Sequence, residues 1–174
     1  GFTYGRNRWA IRIDRSATAY LFIGVASRAV NQCTFLGGDE HGWGYIGDCA
    51  LYHRRNKVNK SYGEGFGPGD VIGVELDMDH GTLSFSCNGM DLGVAFNNLS
   101  GELFPAVAFY NLGQSVTLVR EACCCPGLGV PVAGSPSNVD LGDVTTMAAT
   151  LRSMAAGQPL PPAFMEQAWH SFDA

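Results

Sequence analysis

The sequence has no apolar run of about 18 residues, the length at which a segment becomes a candidate for crossing a membrane. Positive charge is also scarce, since 11 Lys and Arg face 16 Asp and Glu for a formal net charge of −5. A general nucleic-acid binder needs a basic face that neutralises phosphates, so this balance disfavours that class. We therefore expect neither a membrane nor a nucleic acid as a partner.

The six cysteines are arranged in a way that argues against disulfides and metal sites. Residues 123–125 are consecutive cysteines, which do not suit a disulfide framework. A chain that is 46% apolar can also form a core without disulfide bonds to stabilise it. No CxxC pair and no histidine at ligand spacing accompany them, so the sequence predicts no zinc site. We expect reduced thiols, no bound metal and no cofactor.

The few basic residues are concentrated in the first third of the chain. Residues 1–60 carry nine Lys and Arg against four Asp and Glu, whereas residues 61–120 carry one against seven and residues 121–174 one against five. The run "HRRNKVNK", residues 53–60, has two interpretations, a basic surface patch or a solvated loop, and we favour the loop. Its basic side chains are His53, Arg54, Arg55, Lys57 and Lys60.

Short runs of alternating apolar and polar residues, separated by Gly, Asn and Asp, predict an antiparallel β-sandwich. In "NRWAIRID", Trp9, Ile11 and Ile13 are predicted to face the core, and Arg8, Ala10, Arg12 and Asp14 to face solvent. Trp43, Tyr45 and Phe85 are also assigned to the core. Further strands are predicted at residues 20–26, 42–47, 71–79, 82–88, 103–111 and 115–120.

The composition changes after residue 120. Residues 121–142 are rich in Gly, Pro and Cys and are predicted to form a linker. Residues 143–174 are predicted to form a helical extension of one or two short α-helices. Its apolar stripe either packs back on the sandwich, which we favour, or docks on a partner. The stripe consists of Val144, Met147, Leu151 and Met154, behind Asp143 as N-cap.

The stretch "ELDMD" places Glu75, Asp77 and Asp79 at alternate positions of a predicted strand, opposite its core face. One interpretation is a β-glucanase, because the stretch is similar to the Glu-x-Asp-x-x-Glu motif of one family of β-sandwich glycosidases. A retaining pair must lie about 5–5.5 Å apart, however, whereas positions i and i+4 of a strand are about 13 Å apart. The turn signals "DHG" and "NG" favour a hairpin whose acids form a solvated face.

Four motifs occur in an order that resembles one domain family. They are "RWAIRI", "GWGYIGDCALYH", "GDVIGVELDMDHGTLSFSCNGMDLGVAF" and "LFPAVAFYNLGQSVTLV". Together they resemble the SPRY domain, over about residues 1–120. The resemblance implies an all-β fold, a bent antiparallel sandwich of the concanavalin-like jelly-roll type. It also implies a protein-protein interaction module that has no catalytic activity and no small-molecule cofactor.

The resemblance raises expectations about the host protein. SPRY domains occur in ubiquitin ligases, SOCS-box adaptors, tripartite-motif proteins, ryanodine receptors and histone-methyltransferase complexes. We expect a fragment of a larger cytoplasmic or nuclear protein, in which the domain recruits a substrate for a ubiquitin ligase. The alternative is an architectural domain that docks within its own host. Because only eight residues precede Trp9, we expect the family's first strand material to be missing or supplied by preceding sequence.

The resemblance also implies a binding site for a short extended peptide at one end of the sandwich. Amide, hydroxyl and aromatic groups in the three implied loops suit such a ligand. For Phe35 and Tyr110, a core position is the competing interpretation. The implied partner-binding residues are Arg15, Ser16 and Thr18 in the first loop, Gln32 and Phe35 in the second, and Tyr110, Asn111 and Leu112 in the third.

Overall fold

A computed structural model describes residues 1–119, which form ten β-strands in two five-stranded antiparallel sheets. The strands are β1 (Arg6–Arg15), β2 (Leu21–Ser27), β3 (Gly42–Ile46), β4 (Ala50–His53), β5 (Asn56–Asn59), β6 (Val71–Asp77), β7 (Thr82–Cys87), β8 (Met90–Phe96), β9 (Leu103–Phe109) and β10 (Ser115–Val119). One sheet has the order β10-β1-β6-β7-β8 and the other β5-β4-β3-β2-β9. The predicted all-β sandwich is therefore confirmed. The predicted linker and helical extension lie outside the described residues.

The core lies between the inner faces of the two sheets. Trp9, Ile11 and Ile13 of β1 are buried in it, as the alternation predicts. At its centre the Tyr45 ring lies 5.1 Å from Phe85 and 5.3 Å from Tyr62, measured between ring centroids. This aromatic cluster joins β3 of one sheet to β7 of the other, so it fixes how the sheets pack.

Two positions depart from the predicted faces. Ala10 lies on the outer side of β1 by alternation, but it is buried instead of solvated. Trp43 is only partly buried, because β3 begins at the rim of the sandwich and its indole stacks on His53 with ring centroids 4.8 Å apart. Trp43 therefore packs against the core from the rim and is not fully buried in it.

The sandwich has two ends, which we name by the chain connections they carry. The near end holds residues 16–20, between β1 and β2, and residues 110–114, between β9 and β10. The far end holds the segment after β2, the β4–β5 turn and the segment after β8. Antiparallel order places these connections at opposite ends of the strands. Residues 1–119 include no helix that is long and apolar enough to cross a membrane.

Asp77 closes the β6–β7 hairpin at the far end. It is only 5% exposed, so the predicted solvated position is wrong. Its Oδ1 accepts hydrogen bonds from the backbone N–H groups of Asp79 and His80, at 3.1 Å each. Its Oδ2 lies 3.0 Å from both Arg6 Nη2 and His80 Nδ1. The carboxylate is buried because these donors replace water around it.

We expect Asp77 to make the stability of the fold sensitive to acid. Hydrogen bonds from the backbone and side chain of His80 and from Arg6 lower the pKa of Asp77 from 3.8 to about 2. A carboxyl whose pKa is lowered on folding stabilises the protein above its unfolded pKa, and this contribution is lost as pH falls through the folded value. The urea midpoint should therefore fall between about pH 4 and about pH 2. Asp77→Asn should have a lower urea midpoint at neutral pH, and its midpoint should change less with pH. If the midpoints of wild type and variant changed equally with pH, this role of Asp77 would be contradicted.

Candidate protein-interaction site

The near end brings two of the three implied loops into direct contact. Arg15, which was predicted in the first loop, is instead the last residue of β1 and pairs with Ser115 after a register shift, so the loop begins at Ser16. There the Thr18 Oγ1 accepts a hydrogen bond of 2.6 Å from the Asn111 side-chain amide. The rings of Tyr20 and Tyr110 also pack together, with centroids 5.4 Å apart. Residues 15–18 and 110–112, which are distant in sequence, therefore form one surface.

Gln114, which is not among the residues implied by the sequence, organises this surface. Its Oε1 accepts from the backbone N–H groups of Tyr110 and Asn111, at 2.8 and 2.9 Å. Its Nε2 donates to Ser16 Oγ at 2.7 Å and to the Tyr20 carbonyl at 3.1 Å. One side-chain amide thus uses both donors and its acceptor to hold the two loops. The only sequence signal is a polar residue after a glycine turn, which is too common to single out.

We expect Gln114→Ala to loosen both loops at once. Loss of these partly buried hydrogen bonds should lower the free energy of unfolding by about 1–2 kcal/mol. Amide hydrogen exchange should accelerate at residues 16–20 and 110–112 and stay unchanged in β6 and β7. The matched control is Gln32→Ala, an exposed glutamine on another loop, which should leave both quantities unchanged. Normal exchange in Gln114→Ala would show that the loops hold their shape without this residue.

The second implied loop does not start at the near end, as the expectation of one loop end requires, because β2 ends at the far end; the segment folds back from there over the outer face of the β2 sheet. Phe35 is half-buried, with its ring stacked on Phe22 at 5.3 Å and edge-on to Tyr52 at 5.5 Å. Phe35 is therefore packed on the domain and keeps an exposed edge. It is neither a fully buried core residue nor a freely exposed binding residue. Gln32 is exposed at the start of the same loop.

The three segments follow one face of the β2 sheet. Tyr110 packs on Tyr20, Phe35 packs on Phe22, and these two partners are separated by one residue along the chain. Phe22 lies on β2 and Tyr20 directly precedes that strand, so the two aromatic pairs are neighbours at its start. We call the surface formed by residues 15–18, 32–35 and 110–112 the loop surface. Leu112 is its most exposed apolar side chain, at 84%.

The outer face of the other sheet carries the acidic row, and its carboxylates are engaged with basic or backbone partners. Glu75 lies 2.6 Å from Arg8 Nη2 and 3.2 Å from Arg6 Nε. Asp77 is held as described above, and Asp79 accepts a 2.8 Å hydrogen bond from the Gly5 N–H. The low pKa of Asp77 keeps it ionised, which does not suit a general acid. Glu75 and its arginines therefore have a structural explanation as ion pairs between β1 and β6.

Metal-ligating side chains are not clustered in the described part of the chain. Among residues 1–119, no group of three His, Cys, Asp or Glu residues is arranged to hold a metal ion. The chemistry of the near end is that of amide, hydroxyl and aromatic groups on a rigid sandwich. Such a surface can recognise another polypeptide.

A β-sandwich with two hydrogen-bonded loops at its near end and a third loop over the outer face of one sheet defines a binding module. A family model for the SPRY domain matches residues 6–121. The chain belongs to the SPRY family, which confirms the resemblance seen in the four motifs. SPRY domains are generally non-catalytic interaction modules that bind protein partners.

Known proteins are similar over the same region. The chain is 32% identical over 131 residues to SPRY domain-containing SOCS box protein 3 of Xenopus laevis, covering 70% of this chain and 36% of that protein. It is 32% identical over 104 residues to Ran-binding protein 9 of Homo sapiens, covering 60% of this chain and 14% of that protein. The chain therefore spans only a small part of these relatives.

Solved structures agree with the fold. The SPRY domain of human HERC1 has a TM-score of 0.61 and 28% sequence identity, over 70% of this chain and 78% of that chain.

Proposed function

We propose that this SPRY domain captures a short extended segment of a partner protein on the loop surface. The observation that carries the proposal is the hydrogen-bonded junction of the first and third loops through Gln114. Because the sandwich and this junction already order the loops, little conformational entropy is lost when a ligand binds. A surface of this kind binds more tightly than loops that must be ordered by the ligand.

Some side chains of the loop surface offer apolar contact to the ligand, and others offer hydrogen bonds to its backbone. Leu112 and the exposed edges of Tyr110 and Phe35 supply apolar area for one or two side chains of the ligand. The Asn111 amide uses one N–H for Thr18 and has a second N–H and a carbonyl oxygen for a peptide backbone. Arg15 is exposed at the edge and favours an acidic residue at one end of the ligand.

The biological role that we propose is recruitment of a substrate or partner to a ubiquitin ligase. One relative is named as a SOCS box protein, and SPRY domains occur in SOCS-box adaptors and ubiquitin ligases. A domain with this role needs only a recognition surface, because catalysis resides elsewhere in the assembly. We also propose a cytoplasmic or nuclear location for the host, where such assemblies act.

Selection from a library of displayed linear peptides tests the proposal. The full chain is the bait, and peptides that also bind an Asn111→Ala/Leu112→Ala double variant are removed. We expect the remaining peptides to share a linear motif with an apolar anchor. A Met90→Ala variant is the matched control, since Met90 is exposed on β8, and it should retain the same peptides. Equal recovery on wild type and double variant would contradict the proposal.

The same selection separates recruitment from the architectural alternative. A motif that occurs in the host's own sequence, and not in other proteins captured with the domain, would indicate intramolecular docking. A motif shared by captured proteins would indicate recruitment.

A further inference from the structure

Each sheet has two edge strands, and an edge strand offers backbone N–H and C=O groups with which another strand can pair. Within residues 1–119 the edges are β5 and β9 of one sheet and β8 and β10 of the other. Folded proteins protect such edges with a charge, a proline, a bulge or a covering segment. Three of these four edges carry such protection, and β10 does not.

The three protected edges are blocked in different ways. At the start of β9, Phe2 and Leu103 exchange backbone hydrogen bonds of 2.7 and 3.0 Å, and two residues later Pro105 has no N–H to donate. Register shifts interrupt β8, and its Gly93 carbonyl accepts a side-chain hydrogen bond at 2.6 Å. The remaining edge, β5, is only four residues long and contains Lys57.

The position of β5 also corrects an expectation from the sequence. The solvated loop favoured for residues 53–60 is wrong, because the end of β4 and all of β5 lie in this segment and pair as a hairpin. The edge of this sheet is therefore a short polar strand, which is poorly suited to pairing with another chain.

The fourth edge strand, β10, has the sequence "SVTLV". It contains no charged residue, no proline and no glycine, and its pairs with β1 run without interruption from Val116 to Val119. Three of its five residues are β-branched, which favours the extended conformation. A regular, uncharged edge of this kind is suited to pairing with another strand.

The backbone groups of Val116 and Leu118 lie at this edge. Ile13 of β1 directs its N–H and C=O to the segment that leads into β6, with hydrogen bonds of 2.9 and 2.8 Å. Backbone direction alternates along a strand, so Arg12 is a residue that bonds to β10, through the opposite residue Thr117. The N–H and C=O groups on either side of Thr117 therefore point away from β1.

The side chains of the same two residues belong to the inner face of the sheet. Val116 lies opposite Ile13 and Leu118 opposite Ile11, which are both core residues of β1. Leu118 is nevertheless 53% exposed, and Val116 is only partly buried. The core is therefore incompletely closed at β10.

The neighbouring strand β9, which residues 110–114 connect to β10, continues this apolar surface. Its Val107 and Phe109 pack against the core and remain partly exposed. We call the surface formed by Val107, Phe109, Val116 and Leu118 the open side of the sandwich. A matching occupant must supply both a strand edge and apolar side chains.

We propose that the open side is a dimerisation surface, on which β10 pairs antiparallel with β10 of a second copy around a twofold axis at Thr117. In this register Val116 lies opposite Leu118 of the second copy, and each such pair exchanges two backbone hydrogen bonds. Apolar side chains meet apolar ones, and no like charges are opposed because β10 carries none. The two β10 sheets become one continuous sheet across the axis.

A second copy matches the open side better than an isolated peptide strand does. A peptide covers the backbone edge, whereas a second copy also brings its own open side against the exposed apolar side chains. The interface is small, because β10 has five residues and specific interfaces of standard size bury about 1,200–2,000 Å². We therefore expect a reversible dimer, whose antiparallel halves direct their near ends in opposite directions.

Sedimentation velocity of the full chain tests the proposal. Over about a hundredfold range of concentration, the weight-average mass should rise from that of a monomer towards that of a dimer. Leu118→Lys places a charge at the axis and should raise the dissociation constant at least about tenfold. The matched control is Val94→Lys, since Val94 is also 53% exposed and lies on β8, the other edge of the same sheet. It should dimerise as wild type does.

Disulfide cross-linking locates the axis and does not depend on the lysine variants. In the proposed register the two copies of residue 117 form a non-hydrogen-bonded pair with Cα atoms about 4.5 Å apart, close enough for a disulfide. Mild oxidation of Thr117→Cys should give a peptide linked through position 117 of both copies, which mass spectrometry identifies. Ser115→Cys should give no link between its two copies, because they lie about 13 Å apart along the strand.

Three outcomes would overturn the proposal. The first is a monomeric mass at every concentration. The second is equal dimerisation of Leu118→Lys and Val94→Lys, which would place the contact outside the open side. The third is equal linking at positions 115 and 117, which would exclude the register. None of these outcomes bears on the loop surface, because the near-end variants test that surface separately.

Discussion

Replacing Phe85 by alanine should lower the free energy of unfolding by about 3–5 kcal/mol, close to the whole stability of many domains. Phe85 is only 1% exposed. It contacts Tyr45 of the opposite sheet and Tyr62 of the segment between β5 and β6. Alanine would leave a cavity at the junction of the two sheets, which surrounding side chains cannot fill without moving. Urea unfolding measures the loss directly.

Two companion variants give this prediction its controls. Phe85→Leu retains much of the volume and should cost less than the alanine variant, about 1–2 kcal/mol. Ser84→Ala alters the neighbouring position on the outer face of β7 and should change stability by less than about 0.5 kcal/mol. If Phe85→Ala cost no more than Ser84→Ala, the sheets would not be held together by this aromatic cluster.

Binding of a selected peptide should depend strongly on the third loop. Tyr110→Ala and Asn111→Ala should each weaken binding by about 1–2 kcal/mol, roughly a factor of ten. Tyr110 supplies apolar area beside Tyr20, and Asn111 supplies hydrogen bonds while fixing the first loop through Thr18. Calorimetric titration gives the affinities, and thermal melts of the same samples should remain close to wild type.

The control for this second prediction lies on the other sheet. Glu75→Gln removes a charge that is paired with Arg6 and Arg8, and it should leave peptide affinity unchanged. Asp77 is a poor control because it is buried and closes a hairpin. Normal binding by the two loop variants, together with weak binding by Glu75→Gln, would move the interaction surface to the acidic sheet face.

Much of the fold follows from local sequence patterns. The predicted strands agree with β1, β2, β3, β6, β7, β9 and β10 to within two residues at each end. In these strands apolar and polar residues alternate clearly, or turn residues mark the two ends of the strand. In β7, for example, every second residue is buried. A pattern with period two is a direct consequence of one face packing on a core.

The three strands without a prediction lack that pattern for physical reasons. In β4, Ala50, Leu51 and Tyr52 are all buried, because a loop covers the outer face. The edge strand β5 is almost entirely polar, and β8 is interrupted by register shifts against β7. Burial on both faces, an exposed edge and a bulge each remove the alternation.

The site could be predicted only in part. Motif order places residues 15–18, 32–35 and 110–112 in loops, and the structure shows how the first and third meet. The role of Gln114 depends on contacts between segments more than 70 residues apart, such as Gln114 with Ser16, and so does the Arg6 contact of Asp77. A single sequence contains no local signal for such contacts.

The most direct test of the central claim is amide hydrogen exchange of the full chain with and without a peptide taken from the selection. If the loop surface captures the ligand, protection should rise at residues 15–18, 32–35 and 110–114 and stay constant on β6, β7 and β8. Protection confined to the outer face of β6 and β7, with unchanged exchange in all three loops, would contradict the assignment of the loop surface as the partner-binding site.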